Sequence, residues 1–346
     1  MTTAAVGGAM ASKAGSGGEA WVRLSYALGL RRLGYEVRLI EEAPDASPEA
    51  VEYARRVAAS FGLDYELAGS TDKGGDLLIN VSGNVRSPAL LGRFRRTAFV
   101  DIDPGFTQFW HEQGLAPIPE HDVYFTIAAN LGSATCPIPT CGIEWRPTRP
   151  PVVLDQWPAA DGGFDRFTTI ATWRSPFGRI EPYGLKHHEW RKFMTLPGRT
   201  GLPFEAALHI HPGDAADRDA LDAEGWRLVD PAVAGDPERF REYVRRSGAE
   251  FSVAQGIYVE TESGWFSDRT VRYLASGRPV LVQNTGLEGE LPVGEGLLAF
   301  RTFEEAVAGA HAIVDEYERH VRAARAIAEE HFDSDQVLKR LLEDAL

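Results

Sequence analysis

The chain has 346 residues, 44% of them hydrophobic and 25% charged, enough apolar material for two cores and so for two domains. A net charge of −14 argues against a general nucleic-acid or acidic-membrane binder and leaves room only for a local basic patch that holds a phosphate. No run approaches the ~18 apolar residues of a membrane span, and Met1-Thr-Thr-Ala-Ala-Val-Gly-Gly8 lacks the basic and apolar regions of a signal peptide. The only cysteines, Cys136 and Cys141, fit neither a structural zinc site nor a redox pair, so free thiols in a reducing cytoplasm are expected.

In chain order, Gly17 and Gly18 read as a turn before a helix in which Trp21, Leu24, Ala27, Leu28 and Leu30 fall near helical spacing. Gly34 ends that helix, and Glu36-Val-Arg-Leu-Ile40 alternates as a strand. Further strands are predicted at 76–82, 97–101 and 123–126. In an open parallel sheet the strand C-termini face the ligand crevice, so Asn80, Ser82, Gly83, Asp101 and Asp103 are expected along one wall, with Gly17 and Gly18. Asp101 and Asp103 either take a proton from an acceptor hydroxyl or cap the turn that Pro104-Gly105 begins.

The proline-rich span 145–158 is ill suited to a helix interior and reads as a crossing between domains. From Phe167 the strand–helix alternation resumes, with strands at 167–172, 204–210, 227–229, 250–253 and 280–283, which predicts a second doubly wound domain. His187-His188-Glu189 reads as a helix start. His209 and His211 would share one side of a strand, but no third ligand accompanies them, so no metal is expected. Residues 303–346 read as charged amphipathic helices with a break at 331–335.

The most informative stretch begins at Ser263-Gly-Trp-Phe-Ser-Asp-Arg-Thr270 and runs on to Gln283. Ser267 and Asp268 are good N-caps, Gly277 closes a short helix, and Pro279 opens the strand Val280-Leu-Val-Gln283. The first backbone N–H groups of such a helix are ready to meet an anion. An ordinary strand–helix unit of a doubly wound sheet has the same pattern.

Gly17-Gly-Glu-Ala-Trp21, Leu30-Arg-Arg-Leu-Gly34, Asp101-Ile-Asp-Pro-Gly105, Gly264-Trp-Phe-Ser-Asp-Arg269 and Tyr273-Leu-Ala-Ser-Gly-Arg-Pro-Val280 together resemble bacterial group 1, glycogen-synthase-like glycosyltransferases of the GT-B fold, over nearly the full length. The resemblance implies an α/β chain of two Rossmann-like doubly wound domains facing across a cleft, with the C-terminal helix crossing back to the first. The domains would be 1–150 (acceptor side), 151–330 (nucleotide-sugar side) and 331–346 (the returning helix). It implies a hexosyl- or pentosyltransferase that uses a UDP-, TDP- or GDP-linked sugar, with no metal and no other cofactor. The acceptor, a small molecule, glycan, protein or modified nucleobase, is left open.

The same resemblance places the diphosphate on Ser263, Gly264, Trp265, Phe266, Ser267, Asp268, Arg269 and Thr270, with Arg269 as a bidentate phosphate ligand. Arg174, Arg179 or Lys186, in the loop after the first strand of the second domain, would add positive charge. His209, Gln255 and Tyr258 would border the nucleoside, and Asn284, Thr285 and Gly286 the donor sugar. Two departures stand out. Arg272 occupies the position of the usual second glutamate of a Glu, seven residues, Glu pattern, and Val22 replaces a histidine frequent after the first-helix tryptophan. Glu260 and Asp268 have the seven-residue spacing, shifted by four. A catalytically degenerate homologue that binds sugar nucleotides without transfer is therefore the alternative. A nicotinamide enzyme lacks its Gly-x-Gly-x-x-Gly fingerprint here.

Overall fold

The computed structural model describes residues 2–69, 73–174 and 178–346, and they form two compact units. Unit 1 comprises Met1–Val153, Gly235–Pro237 and Phe332–Leu346; unit 2 comprises Leu154–Ala234 and Glu238–His331. Among the described residues no helix is long and apolar enough to cross a membrane.

Unit 1 runs β1 (Thr3–Gly7), α1 (Gly17–Arg32), β2 (Glu36–Glu41), α2 (Pro48–Ser60), β3 (Asp64–Leu67), β4 (Gly75–Val81), α3 (Pro88–Leu91), β5 (Phe94–Asp101), α4 (Phe106–Glu112), β6 (Val123–Thr126) and β7 (Trp145–Pro147). The seven strands form one parallel sheet in the order β3-β2-β1-β4-β5-β6-β7. The chain moves outward from β1 to β3 and then returns to the other side of β1, so the topological switch lies between β1 and β4. Thr3-Ala-Ala-Val-Gly7 is thus a central strand, buried by a short run of small residues rather than by alternation. Pro147 is tolerated in β7 because that strand is an edge. Gly17 and Gly18 are not a turn: they are the first two residues of α1, a helix buried around almost its whole circumference.

Unit 2 runs β8 (Phe167–Thr172), α5 (Lys186–Arg191), α6 (Leu196–Thr200), β9 (Phe204–His209), α7 (Ala215–Ala223), β10 (Trp226–Val229), α8 (Pro237–Arg246), β11 (Ala249–Ser252), α9 (Gly256–Glu260), α10 (Asp268–Ala275), β12 (Val280–Gln283), β13 (Leu297–Phe300), α11 (Phe303–Asp315) and α12 (Tyr317–His331). Its parallel sheet has the order β10-β9-β8-β11-β12-β13, with the switch between β8 and β11. An aromatic core built on Phe167, Trp190, Phe193, Phe204, Trp226 and Phe251 fills one side of this sheet. α13 (Ser334–Ala345) belongs to unit 1 and packs on α1. Gly29 makes that approach possible, since a Cβ there would lie 2.5 Å from Leu338 Cδ1. Arg32 and Asp335 pair beside it at 2.9 Å.

Candidate functional site

The two switch points are occupied differently. In unit 1 the loop after β1 turns its amides inward: Met10 N and Ala11 N donate to Glu41 Oε2 at 2.9 and 2.7 Å, and Ser12 N to Oε1 at 2.9 Å. Ser12 Oγ and Tyr65 Oη also donate to this buried carboxylate. A backbone nest that would suit an external anion is therefore filled by the protein's own.

In unit 2 the switch point carries positive charge. Arg269, the second residue of α10, donates from Nε to Glu250 Oε1 at 2.6 Å, from Nη2 to Ser252 Oγ at 2.6 Å and from Nη1 to Ile170 O at 2.8 Å. It thereby ties α10 across β8 and β11. Glu250 and Ser252 are two apart on β11 and so share a face. All three guanidinium nitrogens are engaged and the side chain is 12% exposed. Arg269, expected as a bidentate phosphate ligand, is thus held in place as a fixed charge at the start of α10.

Lys186, the first residue of α5, faces the same cluster. Among the described residues it has no hydrogen-bond or ion-pair partner. Burial, followed by the Arg269 charge, pushes its amine down to about 7, against the pull of Glu250 and Asp268. The chain two residues before it is held from α9: Glu260 Oε1 accepts from Gly184 N at 3.0 Å, and Gly256 lies so close to Gly184 that a Cβ there would sit 2.5 Å from Gly184 O. Ser267 caps α10 by backbone geometry alone, with no side-chain bond to the helix N–H groups.

The loop before α10 is knitted to the one after β12. Gly264 N donates to Thr285 O at 2.7 Å, and Thr285 Oγ1 to Trp265 O at 2.6 Å. Ser263 Oγ accepts from Trp265 N at 3.3 Å, and the Trp265 ring stacks on Tyr258 with centroids 4.4 Å apart. Asn284 Oδ1 accepts from Gly286 N and Leu287 N, and its Nδ2 donates to Glu288. The expected sugar-facing side chains Asn284 and Thr285 are thus used within their own loop, which shapes it and leaves Gly286 at φ +87°. Phe266 and Thr270 are buried, and Thr270 Oγ1 has no partner among the described residues. Gln255 caps α9 without a side-chain bond, its Oε1 buried and likewise unpaired.

Other expected residues are placed elsewhere or are already engaged. Arg174 forks onto Asp214 at 2.6 and 2.5 Å, with its side chain 56% exposed. Arg179 pairs with Glu181. Ser175, in the same loop, lies outside the described residues. His209 ends β9 and is exposed, whereas His211 has left the strand and accepts from Gly213 N, so the two do not share a strand face. Among the described residues no group of three or more His, Cys, Asp or Glu could hold a metal. Arg272 is buried, paired with Asp268 and placed over the rings of Trp157 and Phe240.

In unit 1, Asp101 is fully buried and receives four donors: Asp103 N, Thr107 Oγ1, Gln108 Nε2 and Thr126 Oγ1, at 2.7–3.1 Å. Burial pushes its carboxyl up while those bonds pull it down. Asp101 therefore caps the turn that follows β5, and its carboxylate, expected as an acceptor base or a cap, is buried under those four donors. Asp103 is partly exposed. Asn80 is also internal, exchanging bonds with Val85 and meeting His121 Nε2 at 3.0 Å. Ser82 and Gly83 both take left-handed backbone after β4. Glu41 and Glu250 are absent from the sequence expectations. Glu250 does carry a signal, an ionic residue in the middle of a buried parallel strand that demands a cation.

No protein-family model matches the sequence, and no curated protein matches it. Solved structures do match. An α-glucosyltransferase in complex with UDP is 12% identical with a TM-score of 0.62, over 99% of each chain. Sucrose-phosphate synthase from Thermosynechococcus elongatus is 11% identical with a TM-score of 0.58, over 99% of this chain and 98% of that one. HepE from Anabaena, in complex with UDP, is 11% identical with a TM-score of 0.57, over 99% of each chain. The chain shares the GT-B glycosyltransferase fold with them.

Proposed function

We propose that the chain is a glycosyltransferase that binds a nucleoside-diphosphate sugar in unit 2 and passes the sugar to an acceptor hydroxyl held by unit 1. The observation that carries this is the contrast between the switch points: the anion nest of unit 1 is filled by Glu41, while unit 2 offers Lys186, without a hydrogen-bond or ion-pair partner among the described residues, the Arg269 charge and the start of α10, which its N-cap side chain leaves unbonded. The full-length likeness to transferases solved with UDP supports the same reading. Developing charge on the leaving diphosphate would be met by these groups in place of a metal. Trp265 on Tyr258 supplies an apolar wall beside them, and Asp103 is the remaining candidate base on the acceptor side.

The test is a thermal-shift and calorimetric titration with UDP, GDP, TDP, ADP and CDP, with NADH as the counter-test. One nucleoside diphosphate should bind, and Lys186→Ala should weaken it by roughly ten- to a hundredfold, as for a lost charge-assisted hydrogen bond. Binding of NADH alone sinks the reading. A second reading, binding without transfer, is favoured by Arg272, buried and paired with Asp268 at the position where the family resemblance implies a glutamate. Tight diphosphate binding with no release of nucleoside diphosphate from any sugar nucleotide would select it.

A further inference from the structure

β9 and β10 present opposite chemistry on their two faces. Phe204 and Trp226 point into the aromatic core, so Glu205 and Arg227, each one residue on and paired in register, lie on the other face. One side of α8 meets that face, where Arg239, Glu242, Tyr243 and Arg246 are spaced three and four apart. Between strands and helix is a cavity of about 570 Å³, within the range that holds a small molecule. Four arginines and three carboxylates line it, an excess of positive charge in a chain of net charge −14. The cavity stands apart from the proposed diphosphate site. Thr168 lies in register between Glu205 and Glu250, which sets their strands roughly 10 Å apart.

The polar groups around this cavity are incompletely matched. Glu205 is 3% exposed, and Arg166 Nε and Arg227 Nη1 both stand 3.3 Å from its Oε2. Arg166 Nε is buried and makes no hydrogen bond among the described residues. The same holds for Oη of Tyr243, a residue 9% exposed. Burial, then the neighbouring Tyr273 and Glu205, hold this phenol above its usual range, so at neutral pH it is a donor. Arg227 is largely exposed and has no carboxylate but Glu205 within ion-pair distance among the described residues, so it can turn onto a ligand. Two buried donors without acceptors, beside a carboxylate shared by two arginines, suit a ligand that brings acceptor oxygens and has hydroxyls to donate. Guanidinium groups match phosphate oxygens in particular. We propose that this cavity binds a small sugar phosphate. Its phosphomonoester accepts from Arg227, Arg166 Nε and Tyr243 Oη, and a sugar hydroxyl donates to Glu205. Inorganic phosphate shares the anion but lacks the hydroxylated body that the remaining volume accommodates.

The experiment is calorimetry on the full chain with glucose 6-phosphate, inorganic phosphate and glucose, repeated with Arg227→Ala and Tyr243→Phe. Glucose 6-phosphate should bind, and more tightly than either of the other two. Arg227→Ala should weaken it by about tenfold, as for a lost charge-assisted hydrogen bond. Tyr243→Phe removes a hydroxyl that bonds to nothing in the free chain, so its melting temperature should not fall. Its affinity for the ester should nonetheless drop about three- to tenfold, which a packing role alone would not produce. Binding that survives both substitutions unchanged lies elsewhere and overturns the assignment, as does no binding of glucose 6-phosphate. Inorganic phosphate bound as tightly as the ester overturns the sugar phosphate as the ligand.

Discussion

Arg269 and Asp101 show how a residue that reads as chemistry in a sequence becomes architecture in three dimensions. Asp101 ends a strand and Arg269 begins a helix, both suitable places for a ligand, and both are engaged by neighbours. Arg269→Ala leaves the Glu250 carboxylate buried without its cation, so unfolding in urea should show a loss of about 3–5 kcal/mol. Adding Glu250→Gln should recover part of that loss, because the orphaned charge disappears. Asp101→Asn keeps the shape but turns an amide toward donors from Thr107, Gln108 or Thr126. It should cost about 2 kcal/mol, read as a lower melting temperature. Unchanged stability with lost turnover would reinstate Asp101 as a base. Lys186 is the reverse case: an inconspicuous lysine in a loose stretch of sequence that emerges as the side chain of this cluster with no hydrogen-bond or ion-pair partner among the described residues.

At the scale of elements, patterns of type and order are legible in the sequence while small edge features are not. β6, β8 and β12 start and end at the predicted residues, since each is a short apolar run bounded by polar or turn-forming residues. β1 escapes a sequence reading because it is a short run of small residues without alternation, and its place between β2 and β4 is a tertiary fact. β7 reads as linker because its proline argues against a strand unless the strand is an edge, and edge position is a tertiary fact. The contact between α9 and the segment before α5 is likewise a matter of packing. Gly256→Ala would push a methyl into Gly184 O, two residues from Lys186. We expect a stability loss of about 1–3 kcal/mol and weaker diphosphate binding at pH 6.5, both measurable in one calorimetric and thermal series. Unaltered binding would show that this contact does not position Lys186.

For the whole molecule, the two units share an architecture and differ in what fills their switch points. That difference predicts where a ligand leaves its mark. In hydrogen exchange, saturating diphosphate should slow amides at 184–186, 255–257 and 264–270 in unit 2. The 10–12 loop of unit 1, already bonded to Glu41, should be unchanged by the diphosphate alone. Protection centred on that loop would reverse the assignment of the units.

The sequence by itself determined the α/β class, the two doubly wound sheets, the short helix that opens at Ser267 and closes at Gly277, and the helical, charged end of the chain. These follow from local periodicity and from cap and turn residues, which act over a few positions. Only the tertiary structure decided which charges are spent and which remain available. Glu250 meets Arg269 across 19 positions and Met10 meets Glu41 across 31, so no local pattern records the pairings. Burial then makes each pairing obligatory, because an ionic group removed from water must find a partner or give up its charge.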